Sequence, residues 1–158
     1  MEKQNENIKK VQKAIEEFGF NFQIKEFSNS TKTSAEASKA IGCGVEQIAK
    51  SLVFKTKNTN KPILVIASGI NRVNEEKIKQ LISEEIEKAS ADFVKETTGF
   101  VIGGIPPIGH KQPLLTFIDQ DLLTYQEIWA AAGNPHAVFK LTPEELIKIT
   151  NGKIVDIK

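Results

Sequence analysis

The sequence has little that could support disulfide or metal chemistry. Its 158 residues include a single cysteine, Cys43, and two histidines, His110 and His136, which lie apart in the chain. One cysteine excludes an internal disulfide, and these three residues are too few for a dedicated metal site. We therefore expect the protein to work without a metal or another cofactor.

The chain also lacks a long apolar run and an excess of charge of one sign. Its longest apolar runs, 62–67 and 128–132, are far shorter than the roughly 20 residues that cross a bilayer, and residues 1–5 do not resemble a signal peptide. Lys and Arg total 21 against 20 Asp and Glu, a formal net charge of +1. We expect a soluble, cytoplasmic protein that binds no membrane, and any site for a polyanion must be local.

What is present predicts one compact domain over residues 1–158, because 40% hydrophobic and 26% charged residues are close to globular averages. Periodicity and capping residues predict helices at 8–18, 33–41, 74–82, 91–98 and 142–150, and strands at 20–25, 51–55, 62–68, 114–119, 127–132 and 136–141. Some of these strands are joined by short turns and others by helices. This pattern predicts an α/β (α+β) fold with a mixed sheet surrounded by helices.

Four local predictions are sharper. The strand at 62–68 is apolar throughout, which predicts burial on both faces. Leu81 should face inward from its helix, and residues 142–145 should form a capping box with a proline in the first turn. Lys50 should lie at the junction between a turn and the strand that begins at Ser51.

The densest run of glycine and proline is Gly-Gly-Ile-Pro-Pro-Ile-Gly-His-Lys at 103–111. It does not fit a phosphate-binding loop, because His110 stands in place of the required lysine and two prolines remove amides that would hold phosphates. The backbone amides of Gly104 and Ile105 remain, and such amides can stabilise an oxyanion. A wide turn without a chemical role is the alternative interpretation.

Five side chains are candidates for a site, each with a structural alternative. Lys50, in an apolar stretch, either holds an anionic ligand or extends its amine to solvent. His110 and His136 are acid/base groups or ordinary loop and strand residues. Cys43 is a nucleophile or a small packed side chain, and Asp119 is a site carboxylate or a turn former.

Five segments together resemble the YbaK/ProX family, the freestanding relatives of the editing domain inserted in bacterial prolyl-tRNA synthetases. They are Thr-Ser-Ala-Glu-Ala at 33–37, Gln-Ile-Ala-Lys-Ser-Leu at 47–52, Thr-Gly-Phe-Val-Ile-Gly-Gly-Ile-Pro-Pro-Ile-Gly at 98–109, Ile-Asp at 118–119 and Leu-Thr-Pro-Glu-Glu-Leu at 141–146. The resemblance extends over nearly the whole chain. It implies a curved mixed sheet, partly closed like a barrel, with helices around it.

The resemblance also implies a function, the hydrolysis of mischarged tRNA, most often tRNA for proline. The 3′ terminal adenosine of an aminoacyl-tRNA would be the ligand and prolyl-tRNA synthetase a partner. The implied catalytic residues are Lys50, Gly103, Gly104, Ile105 and Pro107. The implied substrate-binding residues are Phe27, Thr33, Ser51, Pro106, Gly109, His110, Asp119, Ala131, Asn134 and His136.

The mechanism implied by the resemblance needs no metal and no protein nucleophile, because water attacks the ester with help from the terminal ribose hydroxyl and the loop backbone. Ala131 stands where cysteine-selective relatives carry a small polar residue. A pocket formed by Ala131, Ile105 and Phe27 would instead suit alanine or 2-aminobutyrate. Pro106 stands where many members have serine, which keeps open a non-catalytic module that binds the tRNA end or the synthetase.

Overall fold

The computed structural model describes residues 2–158, with side chains described from Glu6 onward. The helices are α1 (Glu2–Glu17), α2 (Ser34–Ile41), α3 (Glu75–Ile82), α4 (Ala91–Thr98) and α5 (Pro143–Thr150). The strands are β1 (Ile24–Glu26), β2 (Ile48–Thr56), β3 (Pro62–Ser68), β4 (Ile86–Lys88), β5 (Leu115–Asp119), β6 (Ile128–Ala131), β7 (Ala137–Leu141) and β8 (Lys153–Val155). Short 3₁₀ turns at Val45–Gln47 and Gln120–Thr124 precede β2 and follow β5.

All eight strands belong to one mixed sheet. The strand order is β1-β7-β6-β2-β3-β5-β8, and β4 pairs with β2 outside this path. Strand β2 runs antiparallel to β3 and parallel to β6, whereas β3, β5 and β8 run parallel to one another. The predicted mixed α/β class is confirmed, and since the order has two free ends, the sheet is not closed into a barrel.

The sheet splits along one side of β2, and this split positions the site described below. On that side β2 pairs with β6 at Ile48 and Ala49, and then with β4 from Phe54 to Thr56. Between Lys50 and Val53 the described residues place no strand on this side of β2, whereas β3 pairs with it on the other side. Backbone and side chains from loops can therefore approach β2 at this point.

Strand β3 is the centre of the core, as its unbroken apolar sequence predicted. Its residues from Ile63 to Ser68 are all buried. Leu64 and Ile66 face the larger core cluster, which includes residues of α1, α4 and α5, whereas Ile63, Val65 and Ala67 face the cluster beneath α3. Burying such side chains on both faces is worth about 1.5–3 kcal/mol for each large one.

Helices α2 to α5 begin where capping residues predicted, whereas α1 begins at Glu2, before the predicted start at residue 8. The backbone amide of Thr142 donates to the Glu145 carboxylate (2.8 Å), and the Glu145 amide donates to the Thr142 hydroxyl (3.2 Å), so the predicted capping box is confirmed. Asn74 and Ser90 cap α3 and α4 with their side chains. None of the described helices is long and apolar enough to cross a membrane.

Several predicted boundaries are wrong. Strand β2 begins at Ile48, so Lys50 lies inside the strand and not at its junction. Phe20 and Phe22 precede β1 in irregular backbone, where their rings stack with centroids 5.2 Å apart. Leu81 is 42% exposed, because the buried face of α3 is centred on Ile78. Strands β4 and β8 were not predicted, since each has only three residues.

Candidate functional site

Two adjoining cavities open at the split in the sheet. The first cavity, of about 440 Å³, is lined by residues 31–34 and 48–52 with Gly69, Ile102, Gly103, Ile105 and Ala131. The second cavity, of about 550 Å³, is lined by residues 50–54 with Arg72, Val73, Glu75, Lys88, Ala89, Val94, Ile102 and Ile105. Lys50, Ser51, Leu52, Ile102 and Ile105 line both, so the two cavities form one cleft. Volumes of this size are typical of sites for small ligands.

Lys50 stands between the two cavities with its ammonium largely unused. Its Nζ atom lies 3.5 Å from the carbonyl oxygen of Gly69, and among residues 6–158 this is its one hydrogen bond. Burial lowers the pKa of Lys50; the negative charge of Asp119 opposes this shift, and the positive charge of Arg72 adds to it. A half-buried cation with unused donors is suited to an anionic ligand.

Asp119 lies outside the linings of both cavities and is 1% exposed. Its carboxylate accepts hydrogen bonds from the Ser68 amide (3.0 Å), the Asn71 side chain (2.8 Å) and the Asp121 amide (2.9 Å). These bonds fix the turn after β3, which carries the Gly69 carbonyl that faces Lys50. Asp119 therefore supports the cleft through this turn and does not line it.

The glycine- and proline-rich segment 103–111, called the glycine loop from here on, reaches the cleft through Gly103 and Ile105. The prediction that the Gly104 amide is free is wrong, because that amide donates to the Val101 carbonyl (3.0 Å). The Gly104 carbonyl in turn accepts from the Gly133 amide (3.1 Å). The Ile105 amide makes no hydrogen bond within the described part of the chain. One candidate oxyanion donor therefore remains.

Glycine is required at Gly104 by a close approach of two backbones. A Cβ atom at this position would lie 2.7 Å from the Asn134 backbone, which is too close for any real contact. Gly103 has φ +93°, and the Lys32 side chain lies directly over it. The loop is thus clamped between the 133–134 turn and the segment before α2.

The rest of the loop is buried behind the cleft. Pro106 and Pro107 are buried, and the His110 Nε2 atom lies 2.7 Å from the Pro106 carbonyl oxygen. Burial lowers the pKa of His110, although its bond to Pro106 opposes the shift. Gly109, with φ +88°, packs against α1. These four residues lie outside the linings of both cavities.

Ala131, the last residue of β6, lines the first cavity, and the turn that follows it packs nearby. The Asn134 side chain accepts from the His136 amide (2.8 Å), and His136 Nδ1 lies 3.1 Å from the Asn29 carbonyl oxygen, so both support the turn behind the cleft. The expected place of Phe27 in the pocket is wrong. Its amide donates to the His136 carbonyl (2.8 Å), and its ring packs with the cluster that contains Trp129.

Of the residues proposed from sequence, the cleft brings together Thr33, Lys50, Ser51, Gly103, Ile105 and Ala131. Ser51 is notable because its hydroxyl oxygen is buried without a hydrogen-bond partner in the described structure. Sequence reasoning missed Lys32, Ser34, Gly69, Arg72 and Lys88. These come from turns, a helix start and a three-residue strand, and no local pattern in the sequence distinguishes them from surface residues.

The described residues of the cleft include neither a cluster of metal ligands nor a cysteine. Within the described residues no three His, Cys, Asp or Glu side chains lie together as a metal site requires. Cys43 packs beside Ala37 and Trp129, away from both cavities. Burial raises the pKa of its thiol, and the nearby Glu46 raises it further, which favours the unreactive neutral form.

The sequence matches a family model over residues 28–149, described as the aminoacyl-tRNA editing domain. The chain belongs to this family. A solved structure of a proposed trans-editing enzyme for prolyl-tRNA synthetase is 42% identical, with a TM-score of 0.90 over 96% of both chains. The editing-domain fold therefore extends over nearly the whole chain.

Two curated relatives are also proteins of tRNA aminoacylation or editing. EbsC of Enterococcus faecalis, a proposed deacylase of Cys-tRNA(Pro) and Cys-tRNA(Cys), is 26% identical over 90% of this chain and 88% of its own. The proline–tRNA ligase of Limosilactobacillus fermentum is 32% identical over 71% of this chain, which corresponds to 22% of the ligase. The resemblance to the YbaK/ProX family is confirmed, as is the relation to prolyl-tRNA synthetases.

Proposed function

We propose that this editing-domain protein is a trans-acting aminoacyl-tRNA deacylase. Its substrate would be tRNA(Pro) that carries a small wrong amino acid, such as alanine or 2-aminobutyrate. The observation that carries the proposal is that Lys50 and Ile105 both line both cavities. The cleft thus offers a cation and a residue whose amide has no hydrogen bond in the described part of the chain, and an ester could lie between them.

In this proposal Lys50 holds the terminal nucleotide and Ile105 acts on the ester. Water adds to the carbonyl carbon, and the Ile105 amide stabilises the negative oxygen that forms. The bond to the ribose oxygen then breaks, that oxygen takes up a proton, and the products are the free amino acid and tRNA. Positioning and oxyanion stabilisation of this kind are each worth roughly 3 kcal/mol or more.

The first cavity supports a small aliphatic side chain as the group selected. Ile48, Ile105 and Ala131 give it apolar walls. A hydrophobic pocket distinguishes one methylene by only about 10- to 200-fold, so proline itself must be rejected by shape. The assignment to tRNA(Pro) is drawn from the relatives and from the synthetase domain they resemble.

One observation favours a second candidate, a module that binds the tRNA end without hydrolysis. The Gly104 amide is already bonded to Val101, which removes one of the two donors expected for an oxyanion. Removing a single such donor lowers rates by about 100- to 1,000-fold in enzymes that depend on it.

A deacylation screen separates the two candidates. The protein is incubated with tRNA(Pro) charged with alanine, 2-aminobutyrate, cysteine or proline, and the remaining ester is measured over time. We expect release of alanine or 2-aminobutyrate and retention of proline, with Lys50→Ala inactive in parallel. Binding of these tRNAs without release of any amino acid would contradict the deacylase and support the module.

A further inference from the structure

The second cavity carries an uncompensated positive charge that the chemistry at the ester does not use. Lys50, Arg72 and Lys88 line it, whereas Glu75 is the only carboxylate among the described residues of its lining. Within residues 6–158 neither Arg72 nor Lys88 forms an ion pair or a side-chain hydrogen bond. Both side chains are exposed at the rim.

These cations are held together although they repel. Burial lowers the pKa of Lys50, and the positive charge of Arg72 adds to this shift, although the negative charge of Asp119 opposes it. Two lysines nearby do have acidic partners: Lys55 of β2 pairs with Glu87 (3.2 Å) and Lys79 of α3 with Glu85 (2.6 Å). Like charges without such partners favour binding of a polyanion, which releases their mutual repulsion.

Below the charged rim the second cavity is apolar. Leu52, Val73 and Val94 form walls against which the flat face of a base can pack. An apolar floor beneath a cationic rim matches single-stranded nucleic acid, in which bases pack on apolar surface and phosphates face cations. The free 3′ end of a tRNA has this chemistry.

We infer that the second cavity holds the 3′ end of the tRNA, with Arg72 and Lys88 binding the backbone phosphates next to the terminal adenosine. The inference rests on the proposed function, which places the ester beside Lys50 and the amino acid in the first cavity. A ligand that spans the cleft must then leave past Lys50 through the second cavity. Arg72 and Lys88 are binding residues that do not contact the ester.

The test uses Arg72→Gln, Lys88→Gln and the double variant, since glutamine keeps much of the side-chain stem and removes the charge. Lys153→Gln is the matched control, because Lys153 is an exposed lysine on β8, separated from β2 by β3 and β5. Binding is measured with uncharged tRNA, and with the same tRNA lacking its last two nucleotides, across a range of salt concentrations. Hydrolysis is measured with mischarged tRNA and with 3′-aminoacyl adenosine.

We expect each single variant to weaken binding of intact tRNA about fivefold and the double variant about 20-fold. The slope of log affinity against log salt should fall by about 0.7 for each charge removed. Truncated tRNA should bind all variants equally weakly. Hydrolysis of 3′-aminoacyl adenosine should stay within twofold of the wild type, since it carries no phosphate.

Unchanged affinity and salt slope in the double variant would overturn the inference, and so would equal loss on both hydrolysis substrates. Because binding is read with uncharged tRNA, failure of the proposed function is separate. A wild-type protein that binds tRNA through Arg72 and Lys88 but deacylates no substrate would refute the deacylase and support the inference. Hydrolysis of mischarged tRNA by the wild type, together with an unchanged salt slope in the double variant, would support the deacylase and refute the inference.

Discussion

The His110 Nε2 atom lies 2.7 Å from the carbonyl oxygen of Pro106, and this contact crosses the back of the glycine loop. Since a carbonyl only accepts, Nε2 carries the proton and donates it. The imidazole therefore braces the loop that presents Ile105. Its other nitrogen, Nδ1, is the basic one, but His110 is not among the residues that line either cavity. This geometry makes His110 a positioning residue.

The His110 contact predicts how stability depends on pH. Burial lowers the pKa of His110, so in the folded protein it stays neutral at pH values where the unfolded chain, with a pKa near ~6.5, is already protonated. The contribution of neutral His110 to the free energy of unfolding is complete above about pH 6.5 and decreases as the pH falls below that value. His110→Gln can still donate to Pro106 but does not titrate.

We therefore expect the melting temperature to fall less steeply between pH 7 and 5 in His110→Gln than in the wild type. Thermal denaturation followed by circular dichroism measures this difference. His136→Gln controls for the loss of a histidine elsewhere. Parallel pH profiles for the wild type and His110→Gln would show that His110 is not buried against the loop as described.

Lys50→Ala should remove most deacylation while leaving the fold intact. The amine has one long hydrogen bond to Gly69, so its loss costs little stability, but among the described residues no other cation lines both cavities. We expect a fall in rate on the order of 100-fold or more. Lys50→Arg should restore activity only in part, because its planar fork differs from a compact ammonium. Normal turnover by folded Lys50→Ala would exclude this site.

The elements that could be predicted from sequence are those with a local cause. The periodicity of α1, the caps of α3 to α5 and the apolar run of β3 are signals within a few residues of the element. Strand β4 had no such signal, because three residues become a strand only when they pair with β2. The start of β2 was missed for the same reason, since Ile48 and Ala49 are strand residues through their pairing with β6.

The candidate site likewise has features that the sequence could predict and features that it could not. Lys50 and the glycine loop could be found because a lysine in an apolar run and a cluster of glycines are unusual in themselves. The bond from the Gly104 amide to Val101 and the position of Phe27 could not, because they depend on how distant segments pack. Arg72 and Lys88 look like ordinary surface cations until the fold brings them to one cavity.

Gly104→Ala should destabilise the protein and impair the site together. The added Cβ would lie 2.7 Å from the Asn134 backbone, so the loop and the 133–134 turn must separate. We expect a loss of roughly 1–3 kcal/mol in the free energy of unfolding, measured by urea denaturation, and a larger loss of activity. Gly44→Ala is the control, because its φ of −74° suits alanine and the atoms nearest to its Cβ would belong to the flexible Glu46 side chain. Equal stability of both variants would contradict the clamped loop.

Cys43→Ser and treatment with a metal chelator should each leave the rate within about threefold. Cys43 lies outside both cavities, and its raised pKa keeps the thiol neutral. Deacylation is measured before and after dialysis against chelator, and zinc or magnesium is then added back. Loss of activity that the metal restores would reject the metal-free mechanism.

The last prediction concerns the group that activates water. The described residues that line the first cavity include no histidine and no carboxylate. Lys50 is a cation, and Thr33, Ser34 and Ser51 are weak bases at neutral pH. Because His110 is not among these lining residues, we predict that the 2′ hydroxyl of the substrate's own terminal ribose orients the water.

A tRNA that ends in 2′-deoxyadenosine and carries its amino acid on the 3′ oxygen tests this assignment. It keeps the ester, the base and the phosphates, so it should bind with normal affinity yet resist hydrolysis, and His110→Ala should keep most of its rate on the ordinary substrate. If His110 were the base, its loss would cost on the order of 100-fold or more and the deoxy substrate would still be cleaved. The two mechanisms thus predict opposite results in the same pair of assays. Cleavage of the deoxy substrate at the normal rate would reject the ribose hydroxyl, because that substrate lacks only this group.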